Sequence, residues 1–196
     1  MIGSRELNII PKGNKLRCLS AVVEARSTSN KNKMKTKISF HQTQDNDIIY
    51  HHADFKIGSV VYMIIFSDDN DSLFYWLDNP DISPLIQGRK TFSIKFAVKD
   101  YIECGNDDLY APADNHQFGK AEIRQLKQQL EILVSAHYQQ YQPDCYIFVA
   151  ERSSLVRMYK KMCSQPSEFM VNFQPITDLG DEKDCFILKT PHYKEA

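Results

Sequence analysis

Long apolar runs are missing from this chain. No stretch of its 196 residues approaches the run of about eighteen apolar residues that marks a membrane-spanning helix, so no span is expected. The first residues lack the apolar core of a secretory signal, and a cytoplasmic location is the expectation. Paired cysteine motifs are missing too. Cys18, Cys104, Cys145, Cys163 and Cys185 are odd in number and widely spaced, with no C-x-x-C, which argues for reduced thiols and against a disulfide framework. There is no Gly-x-Ser-x-Gly, which removes the nucleophile-elbow hydrolases. Asp68-Asp69-Asn70-Asp71 lacks the glycine and distal glutamate of a calcium loop. His51 and His52 are adjacent on a strand and point to opposite faces, so no metal site is expected from them together with His41.

Charge is present but unevenly spread. Residues 1–37 hold nine Lys or Arg against Glu6 and Glu24, a segment of +7, and the rest of the chain is therefore −8 for the net −1. The segment has the charge for phosphate contacts but no interleaved aromatic residues for base stacking. Nucleic-acid contact through residues 1–37 is therefore not the leading expectation. Pro11 and Gly13 break residues 1–13, while Leu16, Leu19, Val22 and Val23 predict a short helix over 15–26. The polar run 27–33 has nothing to bury. The expected organisation is a basic, mostly flexible arm over 1–33 and a single domain over 34–196.

That domain opens with strand signals. Lys37–Thr43 alternates, Gln44–Asp47 is a turn cluster, and Ile48–His52 is a second short strand. Phe55–Phe66 is the strongest strand, apolar on both faces as a central strand requires. Leu73–Leu77 reads as strand or as one helical turn, and Pro80 and Pro84 bracket a loop. Thr91–Cys104 alternates cleanly until Asp100, which falls on the apolar side unless a bulge intervenes. From Gly119 to Tyr141 the positions Ile123, Leu126, Leu130, Leu133, Val134, His137 and Tyr141 recur at three and four, predicting a long amphipathic helix that Pro143 stops. A compact strand over 145–150 follows. Ser153 or Ser154 then caps a second helix with Leu155, Met158, Tyr159 and Met162 in its stripe. Phe169–Ile176 and Cys185–Leu188 read as two closing strands.

Strands early and helices late predict an α+β class, with a mixed, largely antiparallel sheet and two helices packed on it. The strand, helix, strand run from 91 to 150 is one βαβ unit, so its two strands are expected to be parallel.

Residues 90–190 resemble the GNAT superfamily of acyl-CoA N-acyltransferases in the order and spacing of elements. The family loop Gln/Arg-x-x-Gly-x-Gly/Ala is matched by His116-Gln117-Phe118-Gly119-Lys120-Ala121, with His116 in place of Gln or Arg. Met158-Tyr159-Lys160-Lys161 matches the later family pattern, while Arg152 stands where Asn is usual. The resemblance implies that residues 116–121 hold the pyrophosphate of acetyl-CoA or another acyl-CoA, by backbone N–H groups at a helix N-terminus. It implies Tyr159 as the acid that protonates the departing thiolate, with Asp100 or Glu103 taking the proton of an amine acceptor. Two family helices have no counterpart in residues 44–90. That departure keeps a second reading open: a non-enzymatic bacterial module of inhibitor, immunity or antitoxin type, with a protein partner.

Overall fold

The alternating segment after residue 37 folds as a strand, and its neighbours follow by tight hairpins. The computed structural model describes residues 21–24, 37–68, 76–106, 108–111, 113 and 118–195. The strands are β1 (Ala21–Glu24), β2 (Lys37–Asp45), β3 (Ile48–Ile57), β4 (Val60–Ser67), β5 (Thr91–Val98), β6 (Cys145–Val149), β7 (Gln174–Leu179) and β8 (Cys185–Lys189). The helices are α1 (Ser83–Ile86), α2 (Lys99–Cys104), α3 (Lys120–Tyr141) and α4 (Ser153–Ser164). The strands form one mixed sheet in the order β1-β2-β3-β4-β5-β6-β8-β7. Every pair is antiparallel except β5 with β6. The class is α+β, as the order of elements predicts.

Several boundaries differ from the sequence expectation, each for a local reason. The helix expected over 15–26 is, at Ala21–Glu24, a strand paired with β2; the rest of that stretch lies outside the described residues. These four residues fall inside the stretch set apart as an arm. Asn46 and Asp47 both have positive φ (45° and 71°), the signature of a type I′ hairpin. Gly58 (φ 59°) opens a second two-residue turn, with Ile57 and Val60 paired across it. The single strand expected over 55–66 is therefore the end of β3 and most of β4. The strand expected over 91–104 stops at Val98. Asp100 could not continue on the apolar side, and the chain turns instead into α2, closed by Gly105 in the left-handed region (φ 66°, ψ 48°). β7 starts at Gln174 rather than Phe169, because residues 168–172 are turn.

One face of the sheet carries the main core. Phe40, Phe55, Ile64, Phe66, Phe92 and Tyr146 from the strands meet Leu126, Leu130, Leu133 and Val134 of α3, and Tyr159 of α4. Ile123 falls outside this contact and is 45% exposed, although its spacing placed it on the stripe. On the opposite face α1 and the residue before it, Ile82, cover Cys145, Ile147, Cys185 and Ile187. A separate patch of Tyr50, Met63 and Ile65 packs with Ile102 of α2. The C-terminal tail is clasped against the α1 cluster. The Tyr193 ring lies 4.1 Å from the Arg89 guanidinium carbon and 4.3 Å from Lys189 Nζ, and its hydroxyl donates to Leu85 O at 3.3 Å.

α3 ends on Gln142 in the left-handed conformation (φ 47°, ψ 56°), directly before Pro143. That conformation costs a side-chain-bearing residue about 1–2 kcal/mol and glycine very little, while glycine loses more chain entropy on folding. Gln142→Gly is therefore expected to stabilise the fold by about 0.5–1 kcal/mol in urea unfolding. A loss of stability would mean that the Gln142 side chain contributes more than its backbone costs.

Candidate functional site

β5 and β6 are joined only at their N-terminal ends. Their parallel register covers Thr91 with Cys145, Phe92 with Tyr146 and Ser93 with Ile147, then stops, although β5 runs on to Val98 and β6 to Val149. Each strand stays paired with its outer neighbour to its last residue, β5 with β4 at Val98 and β6 with β8 at Val149. The closed end is tied by Asp144. Its N–H donates to Lys90 O at 2.8 Å, and its Oδ2 accepts from the Lys90 N–H at 2.8 Å. Its carbonyl accepts from Thr190 N at 3.0 Å. The pair is thus a fork, pinned at the base and open at the carboxyl ends. In open sheets, ligands settle outside the carboxyl ends of parallel strands.

The open end is built from three chain segments. Tyr159 of α4 packs its ring against Phe148 (centroids 4.9 Å apart) and Phe186 (5.5 Å) and is buried. Burial, with the nearby Tyr110 and Glu151, raises its hydroxyl far above the ordinary tyrosine range. Tyr110 is raised in the same way by burial and by Glu151. Both hydroxyls therefore remain protonated at neutral pH. Glu151 is exposed and lies two residues past the end of β6. Its neighbour Arg152 donates to Asp108 Oδ2 at 2.5 Å, which holds the 108–111 loop against the β6 exit. On the β5 side, Phe118 stacks on Tyr62 of β4 at 6.0 Å, and burial pushes the Tyr62 hydroxyl up to about 12.

The residues singled out from the sequence divide between these segments. Phe118, Gly119, Lys120 and Ala121 form the entry to α3; His116 and Gln117 lie outside the described residues. Gly119 is the N-cap residue. A Cβ added there would stand 2.9 Å from Glu122 Oε2, so the carboxylate of Glu122 already lies over the first turn. Asp100 and Glu103 are exposed on α2, not on β5 as expected. Lys99 bonds both Glu103 (3.7 Å) and Asp54 of β3 (2.5 Å). Asp54 alternates with the core residues Ala53 and Phe55, so this ion pair draws Glu103 to the face opposite Tyr159. No group of three His, Cys, Asp or Glu among the described residues is placed to hold a metal ion, and no helix there is long and apolar enough to cross a membrane.

Beneath the fork lies a buried polar chain. His51 Nδ1 and His137 Nε2 are 2.9 Å apart, and His137 Nδ1 and the Tyr146 hydroxyl are 2.8 Å apart. Phe66 stacks on His137 at 3.8 Å and Tyr141 on His51 at 3.7 Å. A neutral imidazole has one N–H, so the protons must run in one direction along the chain. If Tyr146 donates to His137, His137 donates to His51, and both bonds are satisfied. Burial, with a smaller effect of Lys90, lowers His51 to about 4, and burial also lowers His137 far below the usual histidine range.

His137 was legible as a core position from its spacing, but its partner His51 was not. The roles of Tyr110 and Glu151 were also missed, because loop residues carry no periodicity; the one signal was the position of Glu151 and Arg152 directly after a buried strand. Compared with family models, with curated proteins and with solved structures, the chain finds no match in any of the three.

Proposed function

We propose that this domain is GNAT-like, binds an acyl-CoA in the fork between β5 and β6, and transfers the acyl group to an amine. The observation that carries the reading is the end of the parallel register at Ser93 and Ile147, with β8 placed between β6 and β7. A parted strand pair offers the β5 backbone from Ile94 onward to an extended ligand such as pantetheine, by the same hydrogen bonds a strand would use. The entry to α3, with Gly119 and Ala121, is then the place for the pyrophosphate. In the transfer step the amine nitrogen attacks the thioester carbon and the carbon–sulfur bond breaks. The thiolate takes the proton of the Tyr159 hydroxyl, the role that the resemblance implies. The amine proton leaves through water to Asp100 or Glu103, the acceptors that the resemblance implies; Glu103 is held by Lys99.

Calorimetry with CoA and acetyl-CoA is the test. Binding at or below the millimolar range is expected. Tyr159→Phe is expected to leave binding intact and lower turnover about a hundredfold or more, the usual worth of a positioned acid. No binding at millimolar ligand rejects the acyl-CoA reading.

One observation favours the second reading, a non-enzymatic protein-interaction module. The Glu122 carboxylate occupies the ground where a pyrophosphate would sit. On the acyl-CoA reading it must swing aside, and Glu122→Gln is expected to tighten CoA binding about two- to fivefold, the effect of one charge at a helix N-terminus. Unchanged absence of binding in Glu122→Gln, together with a protein that co-purifies at fixed stoichiometry, would favour the interaction module.

A further inference from the structure

The three histidines of the β2–β3 hairpin separate in the fold. His51 points into the core beside His137, whereas His41 and His52 share the opposite face of the sheet. Those two are direct partners across the strands. Their rings lie 5.4 Å apart and within 28° of parallel. Burial, with the adjacent His41, lowers His52 below the usual histidine range, so at neutral pH its ring is uncharged. That is the form in which an imidazole binds a metal ion. Nδ1 of His52 is shut off from solvent and has no hydrogen-bond partner among the described residues. A buried polar atom of that kind calls for an ion or a water.

The spacing of the rings selects the ion. Two imidazoles on one tetrahedral zinc, with Zn–N about 2.0–2.1 Å, have ring centroids about 5 Å apart. The pair already stands near that separation, and the terminal torsion of a histidine is broad enough to turn the nitrogens toward a shared ion. Asp54, two residues along β3 on the same face, is held by Lys99 at 2.5 Å and is not drawn on. We infer that His41 and His52 form a two-imidazole site for zinc(II) on this face of the sheet, His52 through Nδ1, with water in the remaining positions. With two protein ligands instead of four the site is open and exchangeable, unlike a closed structural zinc. The main core lies on the other face, with Tyr159, so the fold does not depend on the ion and the site owes nothing to the acyl-transfer reading.

The experiment is calorimetric titration of the full chain, stripped with EDTA, with zinc chloride. Binding well below the millimolar range is expected. His41→Asn changes an exposed residue and should fold. It is expected to weaken zinc at least as much as the loss of an outer-shell partner does, about tenfold to a hundredfold. His52→Asn and the double variant are expected to bind within about twofold of His41→Asn, because one ion needs both rings and the two losses are not additive. His192→Asn, an exposed histidine bonded to Tyr138, is expected to change nothing. Zinc should also raise the thermal midpoint of the wild type and leave that of His41→Asn where it is. The inference is overturned if zinc fails to bind at millimolar concentration, if His41→Asn binds as wild type, or if the two single losses add in free energy in the double variant.

Discussion

Lowering the pH from 7 to about 4 is expected to cost this protein roughly 3 kcal/mol of unfolding free energy from His51 alone. His51 is 3% exposed, and its folded pKa is about 4 against 6.5 for the free side chain. Each unit of difference is worth about 1.4 kcal/mol. The folded state keeps the ring neutral, while the unfolded chain takes up a proton near 6.5. Stability is therefore complete above pH 6.5, falls as the pH drops from there toward 4, and levels off below. His137 and the half-buried His52 shift in the same direction and add to the slope. Asp178, whose carboxylate is lowered by Lys160 and Thr177, responds only at lower pH, so the histidine window is separable from ordinary acid unfolding. Urea midpoints followed between pH 8 and 4 are the measurement. A midpoint that stays flat down to pH 5 would mean that the unfolded chain shields its histidines as well as the core does.

The same chain explains why part of this fold is legible in the sequence. α3 could be read to within a residue because burial on one face dictates its period, and even a polar residue, His137, had to follow it. β5 was readable up to the point where its alternation met Asp100. What came next was not. A six-residue helix closed by Gly105 carries less pattern than a strand, and the competing readings of a bulge or a shifted face used the same residues. β3 and β4 merged in the sequence because apolar residues flank Gly58-Ser59 on both sides, and the turn was outweighed by its neighbours.

The site divides along the same line. Tyr159 could be found because it lies on a helical stripe, and its burial among Phe148 and Phe186 follows from that stripe. Glu151 and Tyr110 could not, since the loop that carries Tyr110 is tied to the residue after Glu151 by an Arg152–Asp108 ion pair 44 residues apart in sequence. Nothing local in either segment foretells that contact. The fork has a related origin. Asp144 supplies two backbone bonds and one side-chain bond at the base, yet its sequence context, Gln-Pro-Asp, reads only as a break before a strand.

Replacing His137 by leucine is expected to be the most damaging single change in the core, at about 3–5 kcal/mol. The loss has two sources. Leucine forfeits the ring that Phe66 stacks on at 3.8 Å and that Phe40 meets edge-on at 5.4 Å. It also strands two polar atoms, His51 Nδ1 and the Tyr146 hydroxyl, which lie on residues 3% and 0% exposed. A buried polar group without a partner costs about 1–3 kcal/mol, more than the hydrogen bond itself contributed. That asymmetry makes a second variant informative. His51→Phe/His137→Leu/Tyr146→Phe removes every polar atom of the chain while keeping most of its volume. It is expected to recover at least half of the loss seen in His137→Leu, and to unfold with a midpoint that barely changes between pH 7 and 5. Denaturant unfolding of the three proteins at those two pH values decides the matter. If the triple variant is no more stable than His137→Leu, the chain contributes through the fit of its rings, not through its hydrogen bonds. If its midpoint still falls with acid, the histidine window belongs to His52, whose ring stacks on that of His41 at 5.4 Å across β2 and β3 on the other face of the sheet.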